Sequence, residues 1–404
     1  MSHQYLQRYQ NQLSSLDEQF LRRKTRVCET PAAPQMTIEG HEMLTFCSND
    51  YLGLANHPEV AQALSEGVQR FGNGSGASHL ISGHSKAHQL IEEALASTQA
   101  NHIPEVQAIT LSTGFMANMA MITGLINGLS ESDGITIFSE ELNHASLIDS
   151  IRLAGQQKKF DLRIYGHQNL NELEALLSSD KNRQKIIVTD AVFSMDGDIA
   201  NLTELIKLAE QYDALLVVDD AHGFGVLGQH GHGSLEHFNL APNSRIIYMG
   251  TLGKAAGISG AFIAAHQDIV QWILQTGRAY IYTTASPPMI AHGLLKSLEL
   301  IQTGDVRRQL FNNIAYFKKN LSLKHWKLLD SGTAIQPIVI GDNEKTLSVA
   351  QQLFDQGIWA PAIRPPTVPK GTARLRITLS AAHQPEQINR LVVALHSAEK
   401  ALGN

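Results

Sequence analysis

Residues 186–254 decide the fold, through the segments IIVTDAVFSMDGD (186–198), NLTELIKLAEQYDALLVVDDAHGFGVLG (201–228) and IIYMGTLGK (246–254). The runs IIV, LLVV and IIYM are continuously apolar, which is typical of parallel strands covered on both faces. Between the first two runs, Leu202, Leu205 and Ala209 recur at helical spacing, and Asn201 is a suitable N-cap residue. The stretch therefore predicts strand, helix and strand, followed by a further strand of a parallel α/β sheet.

Polar side chains follow each of these strands: Asp190, Ser194 and Asp196, then Asp219, Asp220 and His222, then Thr251 and Lys254. In open parallel α/β sheets, ligands bind beyond the carboxyl ends of the strands. An acid, an imidazole, hydroxyls and a lysine at that edge suit pyridoxal 5′-phosphate (PLP), which binds a lysine as a Schiff base and an acid at its pyridine nitrogen. The residues themselves predict a PLP site around Lys254 and Asp219.

Seven segments carry a family resemblance: SNDYLGLANHP (48–58), GNGSGASHLISGHSKAH (72–88), NHASL (143–147), VFSMDGD (192–198), VDDAHGFGVLG (218–228), GTLGKAAGISGA (250–261) and AIRPPTVPKGTARLRITLSAAH (362–383). In their order and combined length they resemble the α-oxoamine synthases, a family of fold-type I PLP-dependent enzymes. The resemblance is strongest to the branch that joins L-alanine to a pimeloyl thioester, with loss of CO₂ and release of the thiol, in biotin synthesis. The acyl carrier, coenzyme A or acyl-carrier protein, is left open.

The resemblance implies an α/β fold with a mostly parallel central sheet, helices on both faces, and a smaller α+β C-terminal domain. The predicted organisation is a helix and a leading strand over 1–47, a large PLP-binding domain over 48–285 and the C-terminal domain over 286–404. The resemblance to fold-type I enzymes also implies that the chain forms a homodimer.

By resemblance, Lys254 binds the cofactor and acts as general base, Asp219 keeps the pyridine nitrogen protonated, and His144 stacks on the ring. Further cofactor contacts are expected from Gly114, Phe115, Ser194, His222 and Thr251. The turn before Phe115 places backbone N–H groups at a helix N-terminus, which can bind a phosphate, although an ordinary strand–helix connection has the same pattern.

The predicted substrate residues are Arg22, Asn49, Arg364, Thr367 and Arg376. Arg22 belongs to a basic cluster at the end of an amphipathic helix predicted over 4–24, where a solvated basic end is the alternative. The resemblance assigns Arg22 to a distal carboxylate on the acyl substrate and Arg376 to the amino-acid α-carboxylate, both of which suit a guanidinium.

Composition excludes several classes of partner. The chain has 404 residues and a net charge of −6, which gives no basic footprint for nucleic acid or an anionic membrane. Its N-terminal residues are too polar for a secretory signal, and no apolar run approaches the roughly 20 residues of a membrane span. Cys28 and Cys47 are its only cysteines, which suits a reducing cytoplasm.

A metal site is not expected. His222, His230 and His232 lie close in the sequence, but the glycines around them predict turns, and no cysteine or HExxH partner is present. Three other functions remain open: a glycine-using synthase such as 2-amino-3-ketobutyrate CoA ligase, a PLP transaminase or lyase, and a non-catalytic PLP-fold binding protein. DDAHGFG (219–225) and GISGAF (257–262) favour the alanine branch.

Overall fold

The strands predicted along residues 186–254 lie side by side at the centre of one large sheet. The structure is a computed structural model that describes residues 3–402. Gln184–Asp190 pairs in parallel with Ala214–Asp219, which pairs in parallel with Ile246–Thr251. All three strands are buried over most or all of their length, as continuous apolar runs predict.

The described residues form fourteen α-helices and fourteen β-strands. The helices are α1 (His3–Glu18), α2 (Pro58–Phe71), α3 (Lys86–Gln99), α4 (Gly114–Asn127), α5 (Ala145–Ala154), α6 (Leu170–Ser179), α7 (Leu202–Gln211), α8 (Ser234–His237), α9 (Gln267–Thr276), α10 (Arg278–Ile281), α11 (Pro288–Thr303), α12 (Asp305–Asn320), α13 (Asn343–Asp355) and α14 (Pro385–Leu402). The strands are β1 (Gln35–Ile38), β2 (His41–Thr45), β3 (Val106–Leu111), β4 (Ile135–Glu140), β5 (Asp161–Tyr165), β6 (Gln184–Asp190), β7 (Ala214–Asp219), β8 (Ile246–Thr251), β9 (Ala261–His266), β10 (Lys327–Leu328), β11 (Ile335–Gly341), β12 (Ile358–Trp359), β13 (Ala362–Ile363) and β14 (Ala373–Thr378).

The large sheet has the strand order β3-β9-β8-β7-β6-β4-β5. Only β9 is antiparallel to its neighbours, and every other neighbouring pair is parallel. The carboxyl ends of the central strands meet at one edge, because Asp190 is in register with Asp219 and Asp219 with Met249. The predicted α/β fold with a mostly parallel central sheet is confirmed.

The helix α7 shows why the local prediction succeeds. Asn201 caps it, since its side-chain oxygen accepts a hydrogen bond from the N–H of Glu204 at 3.2 Å. Leu202, Leu205 and Ala209 are buried, as their spacing predicts. The cap and the apolar face together fix where the helix begins and which side packs against β7.

The chain divides into two compact units. The first contains the residues up to 48, residues 195–197, and the residues from 310 onward; the second contains residues 49–194 and 198–309, including the large sheet. The predicted domain boundaries at 47 and 285 stay predictions of domain organisation. Among the residues that the structure describes, no helix is both long enough and apolar enough to cross a membrane.

The first unit has two small sheets, one of order β1-β2-β12 and one of order β10-β11-β14-β13. The leading strand predicted before residue 48 is β2, and it pairs with β1 and β12 inside this unit. Arg374, on β14, donates to Asp196 at 2.7 Å, and the Ser331 hydroxyl donates to the carbonyl oxygen of Gly197 at 2.8 Å. These bonds place residues 195–197 in the same unit as β14.

The N-terminal helix is shorter than predicted. α1 ends at Glu18, whereas its pattern predicted a helix to residue 24. Phe20 has a φ of 56°, and the N–H groups of Leu21 and Arg22 both donate to the carbonyl oxygen of Leu16, at 2.8 and 3.2 Å. A left-handed residue followed by such bonds ends a helix, so Arg22 lies beyond α1.

Candidate active site

A cavity of about 180 Å³ opens at the carboxyl edge of the central strands in the second unit. It is lined by Gly114, Phe115, Asn118, His144, Ser146, Asp190, Asp219, Ala221, His222, Met249, Thr251 and Lys254. The structure therefore brings together all the predicted cofactor residues except Ser194, which is not part of this lining. Ser194 follows β6 in the loop that leads to α7.

Lys254 lies three residues after the end of β8, and its amine belongs to a chain of hydrogen bonds. Its Nζ lies 2.8 Å from Nε2 of His222, and Nδ1 of His222 lies 2.6 Å from the hydroxyl of Tyr51. That hydroxyl donates to Oδ1 of Asn49 at 3.1 Å, so its oxygen accepts from Nδ1–H of His222 and leaves Nε2 to accept from Lys254. The chain of contacts fixes one imidazole tautomer and orients the amine.

Asp219 is held by neutral donors. Its Oδ2 accepts from the side-chain amide of Asn118 at 2.7 Å, and its Oδ1 accepts from the N–H of Ala221 at 3.0 Å. The amide of Asn118 also donates to Oγ of Ser146 at 2.7 Å. Next to this carboxylate, burial raises the pKa of Asp190 well above its ordinary value, and the charge of Asp219 adds to the increase.

His144 caps α5 and forms part of the cavity wall. Its Nδ1 lies 2.7 Å from Oγ of Ser146 and accepts from the N–H of Ser146 at 3.2 Å. Desolvation lowers the pKa of His144; the charge of Asp219 opposes this decrease, whereas that of Lys254 adds to it. The ring is therefore neutral near pH 7 and can lie flat against a planar aromatic ligand.

The N-terminus of α4 offers an anion site in the same cavity. Thr113 caps the helix by accepting from the N–H of Met116 at 3.2 Å. Gly114 and Phe115 are the first helical residues, whose N–H groups have no acceptor within a helix. A Cβ at Gly114 would lie 3.7 Å from Met249 and 3.9 Å from the Thr251 hydroxyl, so a larger residue would fill this side of the cavity.

These groups fit PLP on chemical grounds. The cofactor has an aldehyde for an amine, a pyridine nitrogen for an acid, a flat ring for an aromatic neighbour and a phosphate for a helix N-terminus. Lys254, Asp219, His144 and Gly114 supply one group of each kind around a single cavity.

Comparison with known proteins agrees with this chemistry. Residues 41–395 match the family "Aminotransferase class I and II". The 8-amino-7-oxononanoate synthase of Janthinobacterium sp. (strain Marseille) is 52% identical over 97% of this chain and 98% of its own length. That of Bordetella petrii is 50% identical over 96% of both chains. The chain belongs to the 8-amino-7-oxononanoate synthase family. The family resemblance predicted from the motifs is confirmed.

Solved structures extend the family comparison to the whole fold. An 8-amino-7-oxononanoate synthase from Francisella tularensis is 31% identical, with a TM-score of 0.74 over 89% of this chain and 97% of that chain. A serine palmitoyltransferase from S. paucimobilis, with bound PLP–myriocin, is 27% identical, with a TM-score of 0.86 over 98% and 97% of the two chains. The predicted fold-type I architecture is confirmed.

The other predicted substrate residues belong to the first unit. The side chain of Arg364 donates to the carbonyl oxygen of Phe20, and Arg23 donates to the Thr367 hydroxyl at 3.3 Å, so the segment after α1 lies against the proline-rich loop. Arg22 forms an exposed ion pair with Asp17 at 2.7 Å.

Arg376 is buried on β14, where it donates to the Thr378 hydroxyl at 3.1 Å. Arg374 alternates with it along the strand but donates to Asp196, as described above. The two arginines, which look equivalent in the sequence, therefore have different neighbours within this unit.

Sequence reasoning missed three residues at the site. Asn118 follows Gly114 by one helical turn, so the predicted phosphate turn could have indicated it. Ser146 follows His144 within the segment NHASL. Tyr51 lies in the segment SNDYLGLANHP, but nothing in that segment indicates its contact with His222, which is far away in the chain.

Proposed function

We propose that this chain catalyses the decarboxylative condensation of L-alanine with a pimeloyl thioester, which yields 8-amino-7-oxononanoate, CO₂ and a free thiol in biotin biosynthesis. The observation that carries the proposal is the cavity that Lys254, Asp219 and the N-terminus of α4 share. The relatives described above, 52% and 50% identical to this chain, support it by their names.

PLP is the proposed cofactor. Lys254 would hold it covalently through Nζ, Asp219 would pair with the pyridine nitrogen, and His144 would lie against the ring. Its phosphate would bind the N–H groups of Gly114 and Phe115 and the hydroxyl of Thr251, and its phenolic oxygen would bind Ser194 and His222. Bound PLP supplies an electron sink that stabilises negative charge at Cα of alanine.

Proton transfer is assigned to Lys254. Its Nζ would remove the Cα proton of alanine and return a proton after loss of CO₂. His222 supports this role because its Nε2 lies 2.8 Å from Nζ and restricts where the amine can point. Tyr51 holds the opposite side of the imidazole at 2.6 Å. Together they keep the amine oriented during the reaction.

Substrate recognition is assigned to arginines. Arg376 would bind the α-carboxylate of alanine, and Arg22, with Arg364, would bind the distal carboxylate of the pimeloyl group. The pair Arg22–Asp17 is exposed, and exposed ion pairs contribute little stability, so a substrate carboxylate can replace Asp17 at low cost. Asn49 and Thr367 complete the proposed substrate contacts.

The decisive experiment identifies the product by mass. The PLP-loaded chain is mixed with alanine and pimeloyl-CoA, and in parallel with glycine and acetyl-CoA, while released thiol is measured. We expect 8-amino-7-oxononanoate and stoichiometric thiol in the first mixture. A product in the glycine mixture alone, or turnover without thiol release, would contradict the proposal. Replacing pimeloyl-CoA by pimeloyl-ACP then identifies the preferred carrier.

The proposal includes a homodimer and a cytoplasmic location. The family resemblance supports the dimer, and a composition with two cysteines supports a reducing compartment. Light scattering of the PLP-loaded protein should give twice the chain mass of 44.2 kDa. A single chain mass at micromolar concentration would contradict the dimer.

A further inference from the structure

The loop between His222 and α8 contains a rigid turn that the proposed activity does not use. Gly228, Gly231 and Gly233 have φ values of 86°, 77° and 99°, a region that side chains disfavour. Arg307 donates to the carbonyl oxygens of Gly228 at 2.7 Å and Gln229 at 2.6 Å. The conformation of this turn is therefore restricted both by its glycines at positive φ and by the hydrogen bonds from Arg307 on α12.

Two imidazoles and a carboxylate converge on this turn. Oε1 of Glu236 lies 2.5 Å from Nδ1 of His230 and 4.0 Å from Nδ1 of His232. One ligand atom from each residue lies within 4.8 Å of the other two. The sequence places His222 near His230 and His232, whereas the structure supplies the third ligand, Glu236, from α8. His222 is not part of the group, because its ring nitrogens contact Lys254 and Tyr51.

The spacing suits a small divalent ion. Zinc binds nitrogen and oxygen ligands at about 2.0–2.2 Å, so neighbouring ligands of a tetrahedral ion lie about 3.3 Å apart. The observed 2.5 and 4.0 Å fall on either side of that value, so small side-chain rotations would reach it. The side chain of His230 is 53% exposed, which gives an ion and a water ligand direct access.

Of the groups around the three ligands, one favours the binding of a cation and one opposes it. The side-chain amide of Gln302 lies 3.4 Å from Nε2 of His232, so in its flipped orientation it can accept Nε2–H while Nδ1 binds an ion. The charge of Arg307 opposes a cation, but its guanidinium already donates to three carbonyl oxygens. We therefore expect micromolar rather than nanomolar affinity.

A second group, His79, His84 and Glu92, is less suitable. Its ligand atoms also lie within 4.8 Å of one another. However, Oε1 of Glu92 accepts two bonds from Thr110 at 2.8 Å, and His79 is buried with its ring stacked on Tyr280. An ion would have to displace these contacts to reach both Glu92 and the buried His79.

We propose that His230, His232 and Glu236 form a binding site for a divalent transition-metal ion of the zinc class. The ion joins the two ends of the glycine-rich turn, and its role is to stabilise the loop that begins at the cavity residue His222. This site is independent of the proposed condensation, since none of its ligands lines the cavity.

Titration of the untagged, chelator-washed, PLP-loaded protein with ZnCl₂ tests the site by calorimetry and thermal unfolding. We expect one zinc ion per chain at micromolar Kd and a rise in Tm of a few degrees. His230→Gln and His232→Gln should each weaken binding at least tenfold. Glu236→Gln should do the same while its amide oxygen still accepts the backbone N–H groups of the turn.

Two matched controls locate the ion. His237→Gln changes another histidine of α8, and His84→Gln changes the second group; both should bind zinc as the parent does. Unchanged binding in the ligand variants, loss of binding only in His84→Gln, or no zinc binding by the parent would each overturn the proposal. Circular dichroism of every variant without zinc separates loss of a ligand from loss of the fold.

Discussion

Two pairs of carboxylates lie along the carboxyl edge of the large sheet, and their partners differ. In the first, which we call the clamp pair, His167 lies between Glu140 and Asp198. Its Nδ1 is 2.6 Å from Oε1 of Glu140, and its Nε2 is 2.8 Å from Oδ2 of Asp198. Burial lowers the pKa of His167, but the bonds to both acids outweigh it and raise the pKa to about 10.

The second, the cavity pair, is Asp190 and Asp219. Asp219 receives its hydrogen bonds from an amide and a backbone N–H, as described above, and the pKa of Asp190 is raised by burial and by its neighbour's charge. In the clamp pair, a histidine of the chain itself lies between the two acids and joins the segments that carry them. In the cavity pair, both carboxyl groups line the cavity, and Asp219 accepts its hydrogen bonds from uncharged donors, so a cationic ligand nitrogen can add a charged partner there. The difference separates a structural use of buried acids from a functional one.

The largest expected effect comes from the cation that shares the cavity with the second pair. Lys254→Ala should reduce turnover by about 10⁴-fold or more, since the proposed anchor and proton carrier are the same amine. The visible absorbance of the cofactor-loaded protein should be lost as well. Lys207→Ala, on the exposed side of α7, is the control. Turnover within tenfold of the parent would remove Lys254 from the chemistry.

Asp219→Asn tests whether the cavity pair is functional. The amide keeps the shape of the carboxylate but not its charge, so kcat/KM for alanine should fall about 10³-fold with little loss of stability. Asp190→Asn is the matched variant and should retain activity within about tenfold. Equal losses in the two variants would show that the acids act only as a pair.

The same variants give a pH test of stability. The folded-state pKa of Asp190 is raised, so the parent loses stability as pH increases from the unfolded value through the folded one. Asp190→Asn should therefore have a flatter profile of unfolding free energy against pH, starting from the ordinary aspartate pKa of about 3.9 and extending upward. A profile that keeps the parent's slope would contradict the increase in pKa.

His167→Gln tests the clamp pair. Removing the cation leaves two acids facing each other, and the free energy of unfolding should fall by about 3 kcal/mol in urea at pH 7. Because the folded pKa of about 10 exceeds the ordinary value of about 6.5, this stabilisation is complete below pH 6.5 and lost as pH rises to 10. The difference between parent and variant should shrink over that interval.

His237→Gln is the control for the clamp, since His237 is an exposed histidine on α8. A variant of His167 as stable as the parent would show that the clamp contributes no stability.

The smallest expected effect concerns the orientation of Lys254. Tyr51→Phe removes the hydroxyl that contacts His222 at 2.6 Å, so kcat should fall about three- to tenfold while KM for alanine stays constant. The alkaline limb of the pH–rate profile should shift, because a less constrained imidazole changes the environment of Nζ. Tyr9→Phe, on the exposed side of α1, should change neither quantity. An unchanged pH–rate profile in Tyr51→Phe would show that contacts other than the Tyr51 hydroxyl orient His222.

Local patterns predicted much of this fold. The apolar runs before Asp190, Asp219 and Thr251 became adjacent strands, because buried parallel strands tolerate no polar alternation. The helix predicted after Asn201 also formed, with Leu202, Leu205 and Ala209 on its buried face, because apolar residues at helical spacing fix which side packs against the sheet.

Contacts between distant residues escaped prediction for a physical reason. The bond from Arg374 to Asp196 and the contact of Tyr51 with His222 join segments that share no local pattern, so side-chain type and spacing could not indicate them. The end of α1 was not predicted for a different reason. It depends on Phe20 at positive φ, and a bulky residue in that conformation is uncommon and gives no signal in the sequence. Sequence patterns therefore predicted the regular helices and strands well, and they predicted poorly the contacts between residues that are distant in the chain.

The pairing of β2 with β12 has a consequence for the order of folding during synthesis. β2 cannot pair with β12 until Ile358, the partner of Leu44, has been synthesised. The first unit therefore stays incomplete until almost the whole chain has left the ribosome. The large sheet needs no residue beyond 266 and can form earlier. A nascent chain stalled after residue 309 should therefore protect β6 to β8 from protease while its first 48 residues remain open to cleavage.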